Sequence, residues 1–234
     1  MNKTVVIHQP DFLPHIGFFH RFLYADLWVI LDNVQFIHKT SKSWHNRDKI
    51  KTPQGEKWIT LPIKKCPRNT NIREVFLSTE TNWRNDHLNL IKENYKKAPY
   101  FSAIFPRIEE LYHFKCNKMI NFNLKSINML LKLFDIKISS TFASTLNSVG
   151  RKNELLVDIL KKVGGSVYLS GLGAKSYFDQ KPFDNANIKV VWQDFKHPVY
   201  PQLHGKFIPY LSSVDLLMNC GIEKSRKILK GGDN

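Results

Sequence analysis

Val5-Val6-Ile7-His8-Gln9-Pro10, followed by Asp26-Leu27-Trp28-Val29-Ile30-Leu31-Asp32-Asn33-Val34-Gln35-Phe36, decides the fold class of this chain. Each stretch holds an unbroken apolar or β-branched run of strand length and leaves it through polar residues. Between them, Ile16 to Tyr24 has the spacing of a short amphipathic helix. The three pieces read as a βαβ unit. Polar residues gathered just beyond strand carboxyl ends mark the place where open α/β sheets bind small ligands.

Working outward, the turn signal Thr52-Pro53-Gln54-Gly55 precedes a third strand over 57–63, in a hairpin or at an edge, because Pro62 cannot donate to a ladder. Residues 64–82 read as loop, with a short strand near Val75-Phe76-Leu77. A helix starts near Trp83 and ends before Ala98-Pro99, and helical spacing from Phe105 to Phe134 gives one long helix or two broken ones. The α/β rhythm then returns: a strand at Ile136–Thr141, a helix over Asn153–Val163 stopped by Gly164-Gly165, and a strand at Ser166–Ser170. A glycine loop at Gly171–Ala174, a short helix through Phe178 and a strand at Ile188–Trp192 follow. Ser212 or Ser213 starts a last helix with a glycine stop at Gly221, and the final ten residues read as frayed. The pattern predicts an α/β protein with a mostly parallel, Rossmann-like sheet, a nucleotidyltransferase-like variant remaining open, and a helical insertion in the middle. The expected division is 1–82 and 135–221 as the two halves of the α/β core, 83–134 as a helical insertion or subdomain, and 222–234 as a basic tail.

At 234 residues and 42% hydrophobic composition, the chain can bury one large core. No run of eighteen apolar residues predicts a transmembrane segment, and the start lacks the apolar stretch and cleavage site of a signal peptide. Three scattered cysteines (Cys66, Cys116, Cys220) make neither a disulfide framework nor a metal pattern, which points to the cytoplasm. The formal charge of +15 suits acidic partners, whether anionic membrane lipid or a phosphorylated small molecule. It equally suits a solvated surface. A nucleic-acid partner is not expected, since neither a basic recognition helix nor an RNP-like aromatic strand is present.

Candidate chemistry concentrates at three places. His8 leaves the first strand and titrates near neutral pH, which suits a catalytic base; a turn-shaping histidine is the bland alternative. Gln9 and His15 share its loop, whose prolines stiffen it ahead of a helix start that could seat a phosphate. Pro14-His15-Ile16-Gly17-Phe18 is close to the HxGH loop of nucleotidyltransferases, but Phe18 stands where the second histidine belongs. Asp32 ends the second strand, placed to orient a histidine or accept a hydroxyl, with the amides of Asn33 and Gln35 beyond it. Trp44, Asn46 and Arg47 form a second group: an indole to stack on a base or sugar, an amide for an oxyanion, and a guanidinium fork for phosphate. The third group is Ser170-Gly171-Leu172-Gly173-Ala174-Lys175, where glycines let backbone approach phosphate and Lys175 could reach it. It is neither a Walker loop nor a dinucleotide fingerprint. A metal site is not expected, since no carboxylate or cysteine accompanies the histidines at a ligand spacing. Nor does a GxSxG or locally activated cysteine support a hydrolase.

Taken together, these segments resemble the WbqC-like family. The matching pieces are IHQPDFLPHIGFF at 7–19, ADLWVILDNVQF at 25–36, SWHNRDKIKTPQGEKWITLPI at 43–63, YLSGLGAKSYFD at 168–179 and YPQLHGKFIPYLSSVDLLMNCG at 200–221. Such proteins occur in gene clusters for O-antigen lipopolysaccharide and other surface polysaccharides. The resemblance implies work on nucleotide-linked sugars: an acyltransferase or aminoacyltransferase forming an amide on an amino sugar. The roles of His8, Asp32 and Asn46 come from position and chemistry, not from the family. An acyl-CoA or ATP cosubstrate would fit. Two other readings stand beside this one: an ATP-dependent ligase or nucleotidyltransferase-like enzyme, and a non-enzymatic basic accessory protein of a glycan-assembly complex. Which sugar and donor are used, and the oligomeric state, are not legible.

Overall fold

A computed structural model of the chain describes residues 2–37 and 43–232; the parts of the expected core half 1–82 and tail 222–234 at positions 1, 38–42 and 233–234 lie outside the described residues. The chain divides into two compact units. The first comprises residues 1–9, 20–34 and 137–196. The second comprises 10–19, 35–136 and 197–234.

The first unit is a five-stranded sheet of β1 (Thr4–His8), β2 (Leu27–Ile30), β5 (Ser139–Phe142), β6 (Val167–Ser170) and β7 (Lys189–Trp192), in the order β5-β2-β1-β6-β7. All its pairings are parallel. The fold class is therefore α/β with a Rossmann-like sheet. From β1 the chain builds outward through β2 and β5, then returns to the other side of β1 for β6 and β7, so the order reverses between β1 and β6. Central strands covered on both faces need continuous apolar runs. Val5 to Ile7 and Leu27 to Ile30 are buried throughout. Val5, Ile7, Leu27 and Val29 pack with Val157, Leu160, Tyr168 and Phe183. Among the helices here, α5 (Asn153–Lys162) ends where Gly164 takes a φ of 67° and Gly165 N–H returns to Leu160 O at 2.8 Å. A Cβ on Gly165 would lie 2.7 Å from Val5 Cγ2, so glycine there lets the helix end approach β1.

The second unit holds the hairpin of β3 (Arg47–Thr52) and β4 (Gly55–Thr60) and the helices α2 (Trp83–Tyr95), α3 (Phe101–His113), α4 (Met119–Phe134) and α7 (Ser213–Leu229). Pro53 and Gln54 turn the hairpin at the expected place. The helical spacing from Phe105 resolves into two helices, the first starting at Phe101, with residues 114–118 extended between them. The strand expected near Val75–Leu77 reduces to isolated bridges, Ile63 to Leu77 and Phe76 to Lys118. An aromatic cluster of Phe12, Trp83, His87, Tyr112 and Phe122 fills the interior, with ring centres 5.3–6.2 Å apart.

At the C-terminus, Gly221, with φ 71° and ψ 177°, breaks the helical backbone where the glycine stop was expected, and a second helical stretch follows it within α7. Residues 222–229 continue as helix, with Ile228 and Leu229 buried and Arg226 Nε donating to Leu133 O at 2.9 Å. The expectation of frayed final residues is corrected up to 229, where Ile228 and Leu229 are buried and Arg226 is tied to Leu133.

Candidate functional site

The carboxyl edge of the parallel sheet gathers part of the predicted set. His8 closes β1, and its carbonyl accepts from Leu31 N at 3.0 Å and from the Trp28 indole N–H at 3.2 Å. Its Nδ1 lies 2.8 Å from Gln9 O. A carbonyl only accepts, so Nδ1 carries a proton and any base chemistry of the ring falls to Nε2. Asp32 is 2% exposed just beyond β2, where its Oδ1 accepts from the Ser144 backbone N–H at 2.9 Å. Residue 144 follows β5, so Asp32 ties two strand exits together. Beside it, Asn33 keeps a buried Oδ1 that has no hydrogen-bond partner among the described residues.

On the other side of β1, Ser170 closes β6 and Gly171 opens a 3₁₀ turn over Leu172–Tyr177. A Cβ on Gly171 would meet an Arg21 terminal nitrogen at 3.4 Å and Gln193 Oε1 at 3.9 Å, so the missing side chain leaves the guanidinium against the glycine. Arg21 is only 6% exposed, rare for an arginine. Its neighbour His20 accepts from Gln193 Nε2 at 3.3 Å and packs on Phe195 at 5.1 Å. Burial lowers the His20 pKa, Arg21 lowers it further, and Asp194 opposes both. Gly173 and Lys175 lie on the exposed face of the turn. The edge thus carries an imidazole after β1, a buried carboxylate after β2 and a buried guanidinium against the turn after β6. That combination can take a proton from an attacking group and hold an anion.

Arg21, His20 and Gln193 were missed as site residues. The available signal was a lone arginine inside the aromatic run Phe18-Phe19-His20-Arg21-Phe22, a polar side chain where a buried face wants an apolar one.

The other predicted residues belong to the second unit and form their own group. His15 caps the short helix α1 (Ile16–His20): its Nδ1 accepts from Gly17 N at 3.1 Å and its carbonyl from Phe18 N at 3.0 Å. Those amides are occupied, and α1 has one turn only, so the expected phosphate seat at this helix start is not formed. Asn46 locks the hairpin, its Nδ2 donating to Leu61 O at 3.1 Å while Leu61 N donates to its carbonyl at 2.7 Å. Gln35 Nε2 donates to Arg68 O at 2.6 Å. Arg47 Nε donates to Ser43 O at 3.3 Å, and the guanidinium covers the Trp58 ring.

Residues 9–227 match the family model described as the WbqC-like protein family. The chain belongs to the WbqC-like family. It is also similar to "Uncharacterized protein Rv1507c" of Mycobacterium tuberculosis, 31% identical over 224 residues that cover 94% of this chain and 95% of that protein. No solved structure matches the chain. Within this WbqC-like chain, no helix of the described residues is long and apolar enough to cross a membrane. No group of three or more His, Cys, Asp or Glu among them could hold a metal ion. Cys66, Cys116 and Cys220 form no disulfide among the described residues.

Proposed function

We propose that this WbqC-like protein forms an amide on a nucleotide-linked amino sugar, by acyl or aminoacyl transfer, in the synthesis of O-antigen or another surface polysaccharide. The observation that carries the reading is His8 at the reversal point of the sheet, with Nδ1 committed to Gln9 O, which leaves base chemistry to Nε2. Amide formation needs a base near pH 7 to remove the proton from the attacking ammonium, and His8 Nε2 suits that step. Asp32, anchored through Ser144 on the same edge, would orient the attacking group by accepting a hydrogen bond from it. Arg21, with the backbone of Gly171 and the Lys175 ammonium on the same turn, would hold the sugar's diphosphate. Backbone N–H groups at the strand exits of this edge would meet the tetrahedral oxyanion, since the Asn46 amide is held by Leu61 O. The donor is an acyl-CoA or an ATP-activated acid, and the setting is the cytoplasm.

The test is incubation of the protein with UDP- and dTDP-linked amino sugars and an acyl or aminoacyl donor, with product read by mass. A new amide that forms with wild type and is lost in His8→Ala supports the reading. Release of pyrophosphate or phosphate from ATP, without a donor thioester, would promote the ligase reading instead. The accessory-protein reading would be tested by deleting the tail, but residues 222–229 carry buried Ile228 and Leu229, so charge reversal at exposed Lys224 is the cleaner variant.

A further inference from the structure

The turn after β6 carries side chains that the amide-forming reading leaves without a task. It runs as a 3₁₀ helix over Leu172–Tyr177, entered from extended Gly171, whose carbonyl accepts from Ala174 N at 3.1 Å. Its far end is anchored. The Phe178 ring stacks on buried Phe183 at 4.8 Å and meets Trp192 of β7 edge-on at 4.9 Å. Between these two fixed points the turn keeps large apolar side chains in the open: Leu172 is 53% exposed and Tyr177 73%. Single apolar residues scattered over a surface need no explanation, but an aromatic ring left uncovered beside a buried guanidinium does.

Two observations bring Tyr177 and Arg21 to the same end of β6. Residues three apart eclipse in a 3₁₀ helix, so Gly171, Ala174 and Tyr177 make one row. The row begins where a Cβ on Gly171 would meet the Arg21 guanidinium at 3.4 Å, continues with a methyl group and ends on the phenol ring. The buried Tyr168 hydroxyl senses both ends of it. Burial raises the Tyr168 pKa, the Ser170 hydroxyl, donating to it at 3.4 Å, and the Arg21 charge lower it, and Tyr177 raises it again.

We propose that Tyr177 is the base-binding residue of this edge: its ring stacks on the nucleobase of a nucleoside phosphate whose phosphate lies at Arg21 and Gly171. Every nucleobase has a flat π face, and a tyrosine ring offers it a stiff, flat partner. Trp44, read from the sequence as the stacking ring, belongs to the second unit, where it packs on Trp58 at 5.4 Å. The inference rests on the reading of this edge as a nucleotide-sugar site and adds the part that holds the base.

Calorimetry on the full chain compares UMP and dTMP with ribose 5-phosphate, which carries the phosphate without a base. Both nucleotides are expected to bind more tightly than ribose 5-phosphate. Tyr177→Ala removes that advantage, a loss of about tenfold, and leaves ribose 5-phosphate unchanged, whereas Tyr177→Phe keeps the ring and the advantage. Val149→Ser, at an apolar residue of the same unit that is 68% exposed, leaves all three affinities unchanged. Because the Tyr177 side chain is exposed, the circular dichroism of Tyr177→Ala should match that of wild type. The proposal is overturned if the bases bring no advantage, if the advantage survives Tyr177→Ala, or if neither nucleotide binds at millimolar concentration. A base advantage lost in Tyr177→Ala while wild type forms no amide upholds Tyr177 and removes the amide-forming reading. An amide formed by Tyr177→Ala at the wild-type rate with subsaturating nucleotide sugar upholds that reading and removes Tyr177.

Discussion

The two units bury polar chemistry in different ways. In the first, charge sits at the rim of a parallel sheet, where His8, Asp32 and Arg21 close strand or loop ends over an apolar core. In the second, charge lies inside. Lys51 is wholly buried, its Nζ donating to Lys206 O at 2.6 Å, Gln202 Oε1 at 3.0 Å and Gly205 O at 3.3 Å. Tyr95 accepts from Lys51 N at 2.9 Å and donates to Asp215 at 2.8 Å, linking β3, α2 and α7. Burial lowers the Lys51 pKa and raises that of Asp215, each partly offset by the other. The first set lies at strand exits, where open parallel sheets take their ligands, whereas the interior set holds chain segments together. Function is therefore sought at the sheet edge, and stability in the interior of the second unit.

The largest expected effect breaks that interior. Phe122, fully buried against Phe12, Trp83 and Tyr112, should cost about 3–5 kcal/mol as Phe122→Ala in urea unfolding. Hydrogen exchange on the same variant should loosen α2 to α4 more than β1 and β6. Equal loss in both would mean that the units unfold together and the comparison has no energetic content.

Acid sharpens the comparison next. Burial holds His45 and His87 at about 4, below the unfolded value of 6.5. His87 Nε2 donates to Thr60 O at 3.1 Å, so Nδ1 accepts from the Tyr112 hydroxyl at 3.0 Å and the ring is fixed neutral. The unfolded imidazole takes up a proton that the folded one refuses, so stability is lost as pH falls from 6.5 towards 4, by up to about 3 kcal/mol per histidine. Asp48 and Asp215, raised by burial, act with the opposite sign from the carboxylate range upward. The readout is therefore the difference between wild type and His87→Gln, whose melting temperature should fall less steeply with acidification. Parallel curves would place the protonation elsewhere.

Two glycines compare the units directly. A Cβ at Gly165 meets Val5 at 2.7 Å; at Gly221, with φ 71°, it meets the Tyr100 ring at 2.6 Å. Gly165→Ala and Gly221→Ala should each cost about 1–3 kcal/mol in denaturant melts. The loss at Gly221 should be the greater, because strain adds to the clash. The smallest effect is at exposed Lys175, where Lys175→Ala should leave stability within about 0.5 kcal/mol while weakening nucleotide binding by calorimetry.

The same contrast explains what could be read from the sequence. The central strands of the first unit are largely buried, and such strands are written as apolar runs, so Val5–Ile7, Leu27–Ile30 and Val167–Leu169 were legible, as was the parallel sheet. Both units draw on three separated stretches, but the second fills its core with side chains whose partners lie far off in the sequence. Nothing near Phe12 in sequence announces Phe122, and nothing near Lys51 announces Gln202. Asn46 and Gln35 carry the right chemistry for recognition, but their amides serve the backbone of Leu61 and Arg68, partners fixed only by tertiary register. Arg21 escaped for the converse reason: its surroundings look apolar locally, and its companion Gly171 arrives through the fold.

The most direct test of the sheet edge as a catalytic site is a paired measurement on His8→Ala: calorimetric affinity for a UDP- or dTDP-linked amino sugar, and the rate of amide formation by mass. Affinity within about threefold of wild type, with turnover reduced by a factor of about 10²–10⁴, is the result expected of a general base. Affinity and turnover falling together, or turnover untouched, would contradict it and return His8 to the role of a residue that shapes the turn after β1.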